Sequence, residues 1–195
     1  MNIERNIYLD RLVHRMHNGM IKVITGIRRC GKSYLLFKLF YRYLLEQGVP
    51  EENIVVMELD RWKNREYRNP EVLLDYIDSH MPDDKQYYIL LDEVQMMENF
   101  EEVLNSLLHY PNADIYVTGS NSKFLSSDIL TEFRGRGDEV HVFPLSFSEF
   151  MQVYSGDVYH GWADYVMYGG FRFVQPCRPK SRRCSIFQSC LKRLI

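Results

Sequence analysis

The sequence predicts an α/β fold, a parallel sheet with helices packed on both faces. Two observations lead to that class. Short β-branched apolar runs alternate along the chain with longer stretches whose apolar residues recur at helical spacing. One of the runs, "QYYILLDEV", is almost wholly apolar, as a strand covered on both faces should be. Alternation of this kind implies parallel strands joined by crossover helices. At 195 residues the chain can hold one substantial domain and a small appendage.

The elements follow in order. "MIKVITG" is a first strand ending in Gly26 at a tight turn, and "SYLLFKLFYRYLLEQG" is a helix closed by Gly48. "NIVVMELD" is the second strand. "NPEVLLDYIDSHMP" is a helix opened by Asn69-Pro70 and stopped before Pro82. "QYYILLDEV" is the third strand, "NFEEVLNSLLHYP" a helix, "ADIYVTGS" the fourth strand, "SKFLSSDILTEF" a helix and "EVHVF" the fifth strand. Helices are expected again at "SFSEFMQVY" and "WADYVMY". There is no internal repeat and no low-complexity linker.

Composition removes several function classes. Apolar residues make up 46% and charged residues 26%, ordinary for a folded chain, and the net charge of −2 gives no general attraction to nucleic acid. No apolar run approaches the roughly 20 residues of a membrane-spanning helix. The N-terminus "MNIERNIYLD" lacks a signal core, so the cytoplasm is the expected location. The four cysteines contain no C-x-x-C pair, which suggests neither a zinc site nor a disulfide framework, and the six histidines show no metal-ligand spacing. Charge is unevenly placed, however. Seven of the 24 basic residues and no acidic one lie at 171–195, leaving 17 against 26 acids, about −9, in residues 1–170.

The stretch "ITGIRRCGKSYLL" carries the first chemistry. Gly26-x-x-x-x-Gly31-Lys32-Ser33 is a complete Walker A pattern between a strand and a helix, the context its mechanism requires. Its glycines let the backbone curl and aim N–H groups at phosphate, and the helix presents its positive end to the same anion. The expected nucleotide-binding residues are Gly26, Ile27, Arg28, Arg29, Cys30, Gly31, Lys32, Ser33 and Tyr34. Lys32 would reach the β- and γ-phosphates and the Ser33 hydroxyl would ligate Mg²⁺. The side chains of Arg28 and Arg29 are expected to point away, in a solvated or structural role. Cys30 reads as a small packed residue or, less readily, as a thiol activated by the helix end.

An apolar strand ending in "DE" is the Walker B arrangement. Asp92 would hold the magnesium and Glu93 would polarise the attacking water, a residue a kinase has no use for. Gln95 is either a helper at that site or a surface residue. In "IYVTGSNS", Ser120 and Asn121 are candidates to sense the γ-phosphate or the lytic water, with turn capping as the alternative. In "TEFRGRGDEV", Arg134 and Arg136 could neutralise transition-state charge in a neighbour's site or their own. Surface pairs with Asp138 or Glu139 are the alternative reading.

These motifs together with "FPLSFSEFM", in this order, make the chain resemble a family of prokaryotic AAA-type ATPases, an ATPase core followed by an uncharacterised C-terminal domain. The resemblance covers roughly residues 1–170. It implies a P-loop NTPase of the glutamate-containing AAA type, with a five-stranded parallel sheet in the order 5-1-4-3-2 and the sensor strand between the Walker A and Walker B strands. It implies ATP and Mg²⁺ as ligands and hydrolysis of ATP, in a cellular role unknown even for relatives. A slow-hydrolysing nucleotide switch stays open as an alternative, and a small-molecule kinase is a weaker one. A homo-oligomer or protein partner is left open by the arginines. Nucleic-acid contact would need the tail or a partner, because residues 1–170 carry no basic stripe. The pattern stops near Gly170, and residues 171–195 are expected to be a basic, disordered or frame-shifted tail in place of the C-terminal domain.

Overall fold

The computed structural model describes residues 3–120 and 135–170. The helix expected over 122–133 and the tail at 171–195 lie outside the described residues. Two compact units divide the chain, one running from Arg5 to Val142 and the other combining the N-terminal residues up to Glu4 with those from Phe143 onward.

The first unit is built on five parallel strands: β1 (Ile21–Thr25), β2 (Ile54–Glu58), β3 (Tyr87–Asp92), β4 (Ala113–Thr118) and β5 (Gly137–His141). Their order, β2-β3-β4-β1-β5, is the expected one, with β4 inserted between β1 and β3. Every residue of β1 and β3 is buried, which accounts for the apolar run Tyr87–Leu91 in β3, while β1 buries Lys22 and Thr25 among its apolar residues. Register pairs Ile24 with Thr118 and Leu91 with Val117, so β1, β3 and β4 finish side by side.

Alternate strand residues feed opposite faces of the sheet. Ile21, Val23, Val55, Met57, Ile89, Leu91, Ile115 and Val117 pack under α3 (Pro70–His80) and α4 (Phe100–Leu107), which contribute Leu73, Ile77, Val103 and Leu107. Ile24, Leu90, Tyr116 and Val140 pack under α1 (Asn6–Val13) and the helix that follows the glycine loop, which we call α2. That helix starts at Lys32–Tyr34, is π-wound over Leu35–Phe40 and returns to α geometry over Tyr41–Glu46. Leu35, Leu36 and Phe40 are wholly buried, and each such side chain is worth about 1.5–3 kcal/mol of burial. As its sequence predicts, α3 is capped by Asn69, whose side chain accepts from the N–H groups of Glu71 (2.9 Å) and Val72 (3.4 Å), with Pro70 at the first helical position.

In the second unit, α5 (Phe147–Met151) begins with a capping box between Ser146 and Glu149, and α6 (Val158–Tyr168) is capped by Asp157. Phe147 meets Trp162 edge-on at 5.1 Å, and Leu145 N–H donates to the Gly170 carbonyl at 2.7 Å. Among the described residues no helix is long and apolar enough to cross a membrane.

Candidate functional site

The ends of β1, β3 and β4 open onto the crevice where ligands bind in parallel α/β sheets. The chain leaves β1 through Gly26, at φ +136°, and turns into α2 through Gly31, at φ +102°. Glycine is required at the first position on two grounds. The backbone angle is one that side chains avoid, and a Cβ there would stand 2.2 Å from the Val142 carbonyl oxygen. Arg29 also adopts positive φ, at +69°, which helps the loop to close on itself. Gly31 caps the helix without a side-chain bond, leaving its first N–H groups to an anion.

Lys32 is buried across this loop, and its ammonium donates to the carbonyls of Gly26 (3.0 Å) and Ile27 (3.3 Å). Ser33 donates its hydroxyl to Asp92 Oδ1 at 3.0 Å, so the two expected magnesium ligands are brought together. Asp92 also accepts from Thr118 Oγ1. Burial pushes the Asp92 carboxyl up to about 6. The hydroxyls of Ser33 and Thr118 pull it back, while the charges of Glu93 and Asp60 add to the rise. A buried carboxylate beside other acids and a hydroxyl is a hard-oxygen donor set that favours a divalent cation, and the residues present fit Mg²⁺.

Glu93 sits at φ +54°, and its N–H donates to Thr118 Oγ1 at 3.1 Å. Its carboxylate Oε2 accepts from Ser120 Oγ at 2.7 Å and from the Gln95 amide. The Gln95 Oε1 atom is buried without a hydrogen-bond partner. One continuous chain of bonds therefore runs from Ser33 through Asp92, Thr118 and Glu93 to Ser120 and Gln95. The sequence offers Ser120 as a candidate and leaves Gln95 undecided; the structure puts both on the Glu93 carboxylate. The sequence does not single out Thr118, which links the two acids. The one available signal is a hydroxyl that follows the apolar run Ile115–Val117 at the end of the strand.

The other expected residues are placed as follows. Arg28 and Arg29 are exposed on the outside of the loop, and Ile27 and Tyr34 are half-buried against the apolar layer. Cys30 is buried in that layer, where burial pushes its thiol up against the opposing pull of Lys32 and Arg5. A packed thiol, not an activated one, is what this geometry provides. Arg136 is exposed, and its carbonyl accepts from Ile21 N–H at 2.9 Å. Ile21 begins β1, so Arg136 lies at the other end of the strand from Gly26, roughly 16 Å of strand away. The structure does not bring Arg136 to Lys32 of its own chain, and Asp138 is already bonded by Arg15 Nε at 2.7 Å. Asn121 and Arg134 lie outside the described residues.

The loop, the paired acids and the inserted fourth strand agree with a match to known proteins, the AAA domain family model, over residues 18–151. The chain belongs to the AAA domain family. As an AAA-type domain it is a nucleotide-binding module of the ATPase type. An uncharacterised protein of Haemophilus influenzae is 36% identical over 179 residues, 88% of this chain and 44% of that protein. One from Methanocaldococcus jannaschii is 29% identical over 136 residues, 68% of this chain and 28% of its own length. This AAA chain thus spans less than half the length of both relatives. Among solved structures, the Aeropyrum pernix ORC1 protein, determined in complex with DNA, aligns with a TM-score of 0.54 at 11% identity, covering 99% of this chain and 66% of that one. Caenorhabditis elegans PCH-2 aligns with a TM-score of 0.52 at 16% identity, covering 74% and 42%. At these identities the likeness is one of fold.

Proposed function

We propose that this AAA domain binds ATP at Gly26–Ser33 and hydrolyses it with Mg²⁺. The observation that carries the reading is the bonded chain Ser33–Asp92–Thr118–Glu93 beside a buried Lys32, because hydrolysis needs those groups at one place. In this reading the loop N–H groups hold the β-phosphate, and Lys32 exchanges its loop carbonyls for phosphate oxygens. Ser33 and Asp92 hold Mg²⁺, which when bound neutralises charge on the β- and γ-phosphate oxygens. Glu93 accepts the proton of the attacking water, with Thr118 fixing its backbone and Ser120 its carboxylate.

Glu93→Gln tests this directly. The variant is expected to bind ATP as the parent does while phosphate release falls by at least ~10²-fold. Parent-like turnover in Glu93→Gln would mean that the base is elsewhere.

A slow-hydrolysing switch is the second reading, favoured by the hold of Gln95 and Ser120 on the Glu93 carboxylate. Both donors sit on the same oxygen, Oε2, and a carboxylate held on its neighbours is less free to turn to a water. Gln95→Ala separates the two readings: turnover rises if Gln95 restrains the base and falls if Gln95 aims it.

A further inference from the structure

The N-terminal helix carries a cation to the back of the phosphate loop. Arg5 immediately precedes α1, and its carbonyl accepts from the N–H groups of Tyr8 (3.0 Å) and Leu9 (3.1 Å), so the first helical turn fixes its place. The side chain is among the largest fully buried ones of the described residues. Its guanidinium lies 4.4 Å from the Tyr8 ring centre, and Nη1 donates to the Cys30 carbonyl at 2.8 Å.

That last bond sets the orientation of a peptide plane in the loop. In a trans peptide the carbonyl and the following N–H point in opposite directions. With the Cys30 carbonyl tied to Arg5, the Gly31 N–H is turned to the side away from the guanidinium. A Cβ on Gly31 would stand 3.3 Å from Nη1, so the glycine lets the cation approach the loop closely. An arginine is always charged, and burying it is costly compared with an apolar side chain of similar volume. Its two described neighbours, the buried Cys30 and the Tyr8 ring, both belong to the apolar layer on this face of the sheet, so the guanidinium is held at the edge of that layer against the loop backbone.

We propose that Arg5 is a positioning residue for the nucleotide: it locks the Cys30–Gly31 peptide so that the Gly31 N–H faces the β-phosphate, and it adds a fixed positive charge behind the loop. This rests on the reading that Gly26–Ser33 binds a triphosphate. The site then draws on two cations, Lys32 across the loop and Arg5 behind it.

Calorimetric titration of the full chain with MgATP tests the assignment, with Lys32→Ala as the reference for a disabled loop. Arg5→Met removes the charge and the donor but keeps the apolar stem. It is expected to weaken MgATP binding by about tenfold or more, while the nucleotide-free protein melts within a few degrees of the parent. Arg5→Lys, which keeps a charge and a donor, is expected to recover most of that loss, a rescue that loss of packing alone would not show. If the parent binds MgATP, Lys32→Ala does not, and Arg5→Met binds within about twofold of the parent, the role of Arg5 is refuted and the nucleotide reading stands. If the parent itself does not bind, the nucleotide reading has failed first. Should Arg5→Met not fold, the Gly31 amide resonance of the parent decides. It shifts on addition of MgADP if that N–H faces phosphate, and an unmoved resonance overturns the assignment.

Discussion

Replacing Asp92 by Asn should make the nucleotide-free protein more stable while weakening its use of magnesium. Asp92 is 3% exposed, and its carboxyl is pushed from 3.8 up to about 6, chiefly by burial. An acid whose folded value is raised binds its proton more tightly in the native state. That contributes stability fully present below the unfolded value near 3.8 and lost as pH rises through about 6. A difference of about two units corresponds to about 3 kcal/mol at most. Asparagine keeps the acceptor for the hydroxyls of Ser33 and Thr118 and leaves no cavity, but its new N–H groups need acceptors of their own. A net gain of about 1–2 kcal/mol at pH 8 is therefore expected, or about 2–8 °C in Tm for a chain of this size. Thermal melts followed by circular dichroism in chelator, at pH 8 and again at pH 4.5, measure it. The gain should be present at pH 8 and largely gone at pH 4.5, where native Asp92 is protonated. Adding MgATP should stabilise the parent and not the variant. A variant no more stable than the parent at pH 8, or equally stabilised at both values, would refute the reasoning.

Other expectations are simpler. Gly26→Ala must place a methyl group against the Val142 carbonyl at a backbone angle of +136°, and should lower Tm by at least about 5 °C and remove nucleotide binding. If Arg136 serves a neighbouring subunit, specific ATPase activity should rise with protein concentration, and mixing Arg136→Ala with Lys32→Ala chains should restore activity. Activity independent of dilution, with no rescue, would remove that role. A chain ended at Gly170 is expected to bind MgATP as the full chain does, since every residue assigned to the site precedes it. Loss of binding on that truncation would assign the tail to the domain.

What the sequence made legible is what local chemistry dictates. The strands could be read because burial on both faces forces continuous apolar runs, and α3 because Asn69-Pro70 is a cap whose bonds are local. Gly26 and Gly31 were legible because backbone geometry admits few substitutes. The unread features are set by tertiary contacts. Helix α1 went unpredicted: only Leu12 in it is fully buried, Ile7 is exposed, and Arg5 gives the helix no side-chain cap. The π-winding at Leu35–Phe40 follows no glycine or proline within that segment. Thr118 could be seen as a hydroxyl at a strand end, but its bonds to Asp92 and to Glu93 exist only because β4 is inserted next to β3. Sequence spacing carries no information of that kind.

The two ends of the sheet treat buried charge in opposite ways. At the N-terminal ends of the strands, Lys22 is wholly buried and bonded to Asp114, which also accepts from Tyr116 OH at 2.8 Å and His17 N–H at 3.1 Å. There a cation, an anion and their donors satisfy one another, and removing one member would leave a buried charge uncompensated, a loss of about 3–5 kcal/mol. At the C-terminal ends, Asp92 is buried beside Glu93 and within the influence of Asp60, and the hydroxyls of Ser33 and Thr118 offset part of the cost. Packing cannot explain why an acid is kept at that cost, since asparagine would fill the same space. The asymmetry follows if the lower end serves stability and the upper end is built to be completed by a cation and a nucleotide. The same strands can serve both ends because parallel pairing places all their C-terminal ends on one side.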